Sequence, residues 1–162
     1  MLNIKIICVG KIKEISLKNI INEYVKRLEK YCRIQIIEVG DEKLPTPLTK
    51  GDILNIKEKE CNKIQDKLNK IGKCYVIALD LKGKQYSSED FSKKLEELQI
   101  NGNSTICFII GGSLGLTSNL LSNCNSLISF SSMTFPHQLI RLFLCEQIFR
   151  AFKIQNNETY HH

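Results

Sequence analysis

No stretch of this sequence is long and apolar enough to cross a bilayer as a helix. The most apolar stretch, from His137 to Phe152, is broken by Arg141, Glu146 and Arg150, whereas a span needs about 20 residues that are mostly apolar. The amino-terminal residues carry a lysine at position 5 and reach a glycine at position 10. That leaves no room for the apolar core and small-residue cleavage site of a signal peptide. Close cysteine pairs are lacking too. Of the seven cysteines, no two stand in the C-x-x-C spacing of zinc and redox sites, so no metal site is expected. Cys8, Cys74, Cys107 and Cys145 lie inside apolar runs, where a free thiol behaves as a small hydrophobe. An odd number of unpaired thiols fits a reducing cytoplasm. Neither G-x-G-x-x-G nor G-x-x-x-x-G-K-[ST] occurs, which argues against a dinucleotide oxidoreductase and against a P-loop enzyme. There is no internal repeat and no low-complexity stretch.

What is present is the composition of a globular domain. Apolar residues make up 43% of the 162 positions and charged residues 25%, enough for one ordinary core. The net charge of +6 is unevenly placed. Residues 1–73 hold 16 basic and 10 acidic side chains, while residues 74–162 hold 7 of each. A basic first half suits a polyanionic partner; it equally suits two lysine-rich, solvated helices.

Strand and helix patterns alternate from end to end. Residues 3–10 are apolar and β-branched and stop at a glycine. Residues 16–31 place Leu17, Ile20, Ile21, Tyr24, Val25 and Leu28 at helical spacing. Residues 33–40 read as a second strand, residues 51–71 as a long charged helix, and residues 74–81 as a third strand buried on both faces. Lys82-Gly83-Lys84 reads as a turn, with Ser87 or Ser88 capping a helix to about Leu98. Residues 105–110 form a fourth strand, a short helix starts near Thr117, residues 126–131 form a fifth strand, and Pro136 opens a last helix to about Lys153. This order predicts an α/β fold with an open parallel sheet and helices on both faces. Ligands bind such sheets at the carboxyl ends of the strands.

Two of those loops carry chemistry. Gly111-Gly112-Ser113-Leu114-Gly115 follows the fourth strand. Adjacent glycines let backbone N–H groups approach a ligand, although the same residues also make a plain tight turn. The segment from Ser129 to His137 joins a strand directly to a helix and combines hydroxyls, Phe130, Phe135 and Met133. Such a loop can hydrogen-bond a purine edge and cover its faces; it also reads as a helix entry with Thr134 near the cap and Phe135 as a staple. His137 and Arg141 share one face of the last helix. The first could exchange a proton near neutral pH, and the second could hold a phosphate or carboxylate. Glu146 and Arg150 read as a structural pair. The last helix is apolar almost all round, which hints at a subunit interface.

Taken together, LDLKGKQYSSEDF (residues 79–91), FIIGGSLGL (108–116), SFSSMTFPHQLIRLFLCEQIFRAFKI (129–154) and the ending YHH resemble the bacterial large-subunit ribosomal RNA methyltransferase H family, a SPOUT-class group. The resemblance covers essentially the whole chain as a single domain. It implies a deep trefoil knot over about residues 105–154 and a homodimer with its pocket at the knot, beside the interface. It implies S-adenosylmethionine as methyl donor, with no metal, DNA or membrane partner. The implied acceptor is N3 of a pseudouridine in helix 69 of 23S ribosomal RNA within the assembled ribosome. Carried over residue by residue, Leu79, Gly111, Phe130, Ser131, Ser132, Met133, Thr134 and Phe135 would contact the donor. His137, Arg141, Tyr160 and His161 would lie near the acceptor. The family usually ends Tyr-His-Lys or Tyr-His-Arg, where this chain has His162. The alternatives are a methyltransferase of the same fold acting on transfer RNA and a ribosome-binding module without a donor site.

Overall fold

A computed structural model describes residues 1–160. The elements run β1 (Asn3–Val9), α1 (Ile15–Leu28), β2 (Arg33–Val39), α2 (Lys50–Ile71), β3 (Tyr75–Gln85), α3 (Ser88–Ile100), β4 (Thr105–Ile110), α4 (Ser118–Ser122), β5 (Ser126–Ser129) and α5 (His137–Gln155). The five strands form one sheet in the order β2-β1-β4-β3-β5, and every pair is parallel. The expected α/β architecture is therefore present. Among the described residues, no helix is long and apolar enough to cross a membrane.

Strand alternation sorts the core into two layers. Ile4, Ile6 and Cys8 of β1 pack with Ile106, Phe108 and Ile110 of β4 against apolar side chains of α1, α3 and α5. Ile7 and Val9 point the other way, with Ala78 and Ile109, onto Cys61 and Ile64 of α2 and Leu120 of α4. The chain leaving β3 therefore goes to one face of the sheet and the chain leaving β4 goes to the other. Loops that diverge in this way open a crevice at the strand ends, where α/β sheets bind ligands.

Local chemistry sets the helix starts. Thr49 and Asp52 form a reciprocal capping box at α2, and the Ser87 hydroxyl accepts from the Asp90 amide at α3. Thr117 caps α4 in the same way. Pro136 stands one residue outside α5, at its N-cap, and its carbonyl accepts from the Leu139 and Ile140 amides. Thr134 lies two residues before that cap. Helix α1 ends at Leu28 rather than Tyr31, because the Leu28 carbonyl takes both the Tyr31 and Cys32 amides in a turn that feeds β2.

The largest departure from the sequence pattern is at Lys82-Gly83-Lys84. These residues do not end β3. The strand runs on to Gln85, with a register shift between Leu79 and Lys84, so that Ile128 of β5 pairs with both. The chain bulges at residues 80–83 and returns to the same partner strand. Gly83 is pressed on β5 at that return: a Cβ built there would lie 2.5 Å from the Ile128 carbonyl carbon and 2.6 Å from its nitrogen. Backbone atoms within a sheet cannot rotate aside as a side chain can. We expect Gly83→Ala to cost at least about 3 kcal/mol, the upper range for overpacking, read as a lower urea midpoint. A variant as stable as the wild type would mean that the two segments are not in forced contact.

Candidate functional site

The crevice between the bulge of β3 and the end of β4 is a cavity of ≈ 770 Å³, within the range of about 300–1,000 Å³ usual for small-molecule sites. Three segments wall it: residues 79–82 at the bulge of β3, residues 110–116 leaving β4, and the loop from Ile128 to the first turn of α5. Glycines allow the middle segment its shape. The Gly115 amide donates to the Gly112 carbonyl at 3.0 Å, and Gly115 has φ +81°, a left-handed conformation that a side chain strains. At Gly111 an added Cβ would lie 3.0 Å from the Leu116 side chain. The glycines thus make a tight turn and also line the cavity.

The third wall is held by its own hydroxyls. Ser129 Oγ donates to the Ser131 carbonyl at 2.9 Å, and Ser131 Oγ accepts from the Met133 amide at 3.0 Å. Phe135 meets Phe143 edge-on, with ring centres 5.6 Å apart, which ties the loop to α5. Met133 is 72% exposed and stands at the mouth. Of the donor-contact residues expected from the sequence, Leu79, Gly111, Phe130, Ser131, Met133, Thr134 and Phe135 line the cavity. Ser132 does not; its hydroxyl is 3.5 Å from the Gln85 side-chain nitrogen.

The four polar residues expected near an acceptor are placed differently from one another. His137 lines the cavity. Its Nδ1 is buried without a hydrogen-bond partner. Burial pushes its pKa down, the Arg141 charge pushes it further, and Asp41 opposes both. The imidazole is therefore mostly neutral at pH 7 and free to accept a proton. Arg141 lies one turn on but does not open into the cavity. It is 3% exposed, and its guanidinium donates to Glu38 at 2.8 Å and to the Gly10 carbonyl at 3.1 Å. The carboxylate it holds belongs to the chain itself, at the end of β2. Tyr160 packs elsewhere, edge-on to Phe149 at 5.1 Å, with its hydroxyl donating to Glu146 at 3.2 Å. Glu146 also pairs with Arg150 at 2.6 Å. His161, with His162, lies outside the described residues.

Sequence reasoning passed over two residues of α2. Lys57 lines the cavity, and Glu60, only 4% exposed, lies behind the glycine loop. The signal for Glu60 was available: it interrupts the buried stripe between Ile56 and Ile64, a carboxylate where the helical spacing calls for an apolar side chain. Among the described residues, no group of His, Cys, Asp and Glu is arranged to hold a metal ion.

Comparison with known proteins follows the same lines. A family model described as a predicted SPOUT methyltransferase matches residues 2–161. The chain is 52% identical over 160 residues to a ribosomal RNA large subunit methyltransferase H from Clostridium botulinum, covering 99% of both chains. It is 51% identical over 160 residues to the protein of the same name from an Exiguobacterium species, again covering 99% of both. Among solved structures, that of a probable methyltransferase from Bordetella pertussis Tohama I aligns with TM-score 0.56 over 93% of this chain and 96% of that one, at 9% identity. That likeness speaks to the fold alone.

Arg141 generates a test. Removing one partner of a buried ion pair costs about 3–5 kcal/mol. Glu38 is 37% exposed and can recover part of its hydration, so Arg141→Ala should lose about 2–3 kcal/mol in urea unfolding. Wild-type stability in that variant would contradict the assignment of Arg141 as a strut.

Proposed function

The chain belongs to the SPOUT methyltransferase family, and from that premise we propose that it transfers the methyl group of S-adenosylmethionine to N3 of a pseudouridine in helix 69 of 23S ribosomal RNA, on the assembled ribosome. The observation that carries the donor part is the cavity between the bulge of β3 and the end of β4, closed by a glycine loop on one side and a hydroxyl-rich, aromatic loop on the other. The residues present fit such a donor. Gly111 lines the cavity, and its lack of a Cβ lets the loop close on Leu116 and Gly115; Leu79 offers an apolar wall, and residues 130–135 can wrap an adenine with backbone groups on its edge and Phe130 on its face. The acceptor part rests on the full-length similarity to ribosomal RNA large subunit methyltransferase H proteins.

Bound S-adenosylmethionine would supply an already activated methyl group. The protein's own work is then to align donor and acceptor and to exclude water. N3 of a pseudouridine carries an imide proton that must leave before the nitrogen is nucleophilic. His137, which lines the cavity, is proposed to take it; His161 is the second histidine proposed for this step. Arg141 serves at one remove, by fixing the start of α5 and hence His137. The proposal needs no metal.

Three further features complete the reading. The chain from about residue 105 to 154 is proposed to be knotted, a reading that rests on membership of the SPOUT family. The protein is proposed to act as a homodimer in the cytoplasm. Ile20, Phe135 and Phe143, respectively 47%, 38% and 37% exposed, border an apolar groove beside α5 that a second copy would cover. The basic first half, including Lys11, Lys13, Lys18, Lys26 and Arg27, would contact RNA phosphates.

Calorimetric titration with S-adenosylmethionine tests the donor site. The wild type should bind saturably. Gly111→Val should bind at least about 30-fold more weakly, equivalent to roughly 2 kcal/mol, with an unchanged circular dichroism spectrum. A folded wild type that does not bind the donor would overturn the proposal.

A further inference from the structure

Helix α2 backs the glycine loop with one short stretch of its surface. Lys57, Glu60 and Cys61 are spaced i, i+3 and i+4, so they share a face. Lys57 lines the donor cavity. Cys61 Sγ accepts from the Thr117 amide at 3.3 Å, at the end of the same loop. Glu60 lies between the glycine loop and the segment that follows β2. Its Oε2 accepts from the Glu42 amide at 3.0 Å, just after β2. Its Oε1 is buried with no hydrogen-bond partner and faces Gly112, where an added Cβ would lie 3.0 Å away.

This is a costly place for a carboxyl group. Burial pushes the Glu60 pKa up, and the neighbouring Asp41 and Glu42 charges add to that. The hydrogen bond from Glu42 and the charge of Lys63 oppose it. An aliphatic side chain would complete the stripe between Ile56 and Ile64 at no such cost. Local rules broken against stability are expected at functional positions, and this one is broken directly behind the loop that would receive the donor.

We infer that Glu60 is a positioning residue for donor binding: it fixes the glycine loop against the segment after β2 and so holds the cavity in its binding shape. The inference rests on the donor reading above. It assigns Glu60 no contact with the reacting atoms. The Glu42 amide needs an acceptor and the space beside Gly112 is filled by the end of this side chain, and an uncharged amide of the same shape supplies both.

Two substitutions separate this role from a plain structural one. Glu60→Leu should unfold at a urea midpoint close to that of the wild type, because removing a buried carboxyl offsets the lost acceptor of the Glu42 amide. It should nevertheless bind S-adenosylmethionine about tenfold more weakly, the upper range for one lost hydrogen bond. The KM for the donor should rise by the same factor, with kcat at saturating donor within about twofold of wild type. Glu60→Gln should restore the donor affinity to within about threefold. As a measurement on the unaltered protein, saturating donor should slow hydrogen exchange at the Glu42 and Gly112 amides together. Wild-type donor affinity in Glu60→Leu, a fall in kcat at unchanged KM, a Gln variant as weak as Leu, or no slowing at those amides would each overturn the inference. A wild type that fails to bind donor would instead sink the donor reading itself, so the two failures are distinguishable.

Discussion

The site depends on one close backbone approach, where the far end of β3 returns to pair with β5 beside Gly83. With 2.5 Å between a would-be Cβ and the Ile128 carbonyl carbon, the two segments leave space for glycine alone. The approach pairs Gln85 with Ser129, the last residue of β5, from which the loop from Phe130 to Pro136 emerges. It also makes the bulge at residues 80–83, which supplies one wall of the cavity. A loop of hydroxyls and aromatics is adaptable by itself; pinned at its root, it becomes a fixed wall.

Buried polar contacts then bring the remaining pieces into register. Arg141 ties the first turn of α5 to the ends of β1 and β2 through Gly10 and Glu38. Glu60 and Cys61 tie α2 to the segments at residues 42 and 117. Each joins loops that leave different strands, and none is part of the sheet's hydrogen-bond ladder. The two apolar layers stabilise the fold as a whole, while these few polar contacts decide the shape of its carboxyl-terminal edge. Burial, and then the Arg141 charge beside it, lower the pKa of His137 and leave its imidazole neutral at pH 7.

Much of this was legible in the sequence. Alternating strand and helix patterns gave the element order, and the glycine and hydroxyl-rich loops fell where a parallel sheet places its ligand. Two things were hidden for physical reasons. Lys82-Gly83-Lys84 has the composition of a turn, and only its contact with a strand more than forty residues on shows why the glycine is there. Arg141 has the look of an anion binder, and it is one, but its anion is Glu38, 103 residues away. Residue type foretold the chemistry in both cases and sequence distance concealed the partner. Glu60 differs: its break in the α2 stripe was visible without the fold, but its consequence needed the position of Gly112.

The most direct test of this account is a methylation assay with labelled S-adenosylmethionine on assembled ribosomes lacking the modification, with free 23S RNA and transfer RNA alongside. The label should be located by mass spectrometry of nuclease fragments. The account predicts incorporation into the helix 69 fragment of assembled ribosomes, at N3 of a pseudouridine. Label in transfer RNA, label elsewhere in 23S RNA, or no incorporation by a donor-binding protein would contradict it.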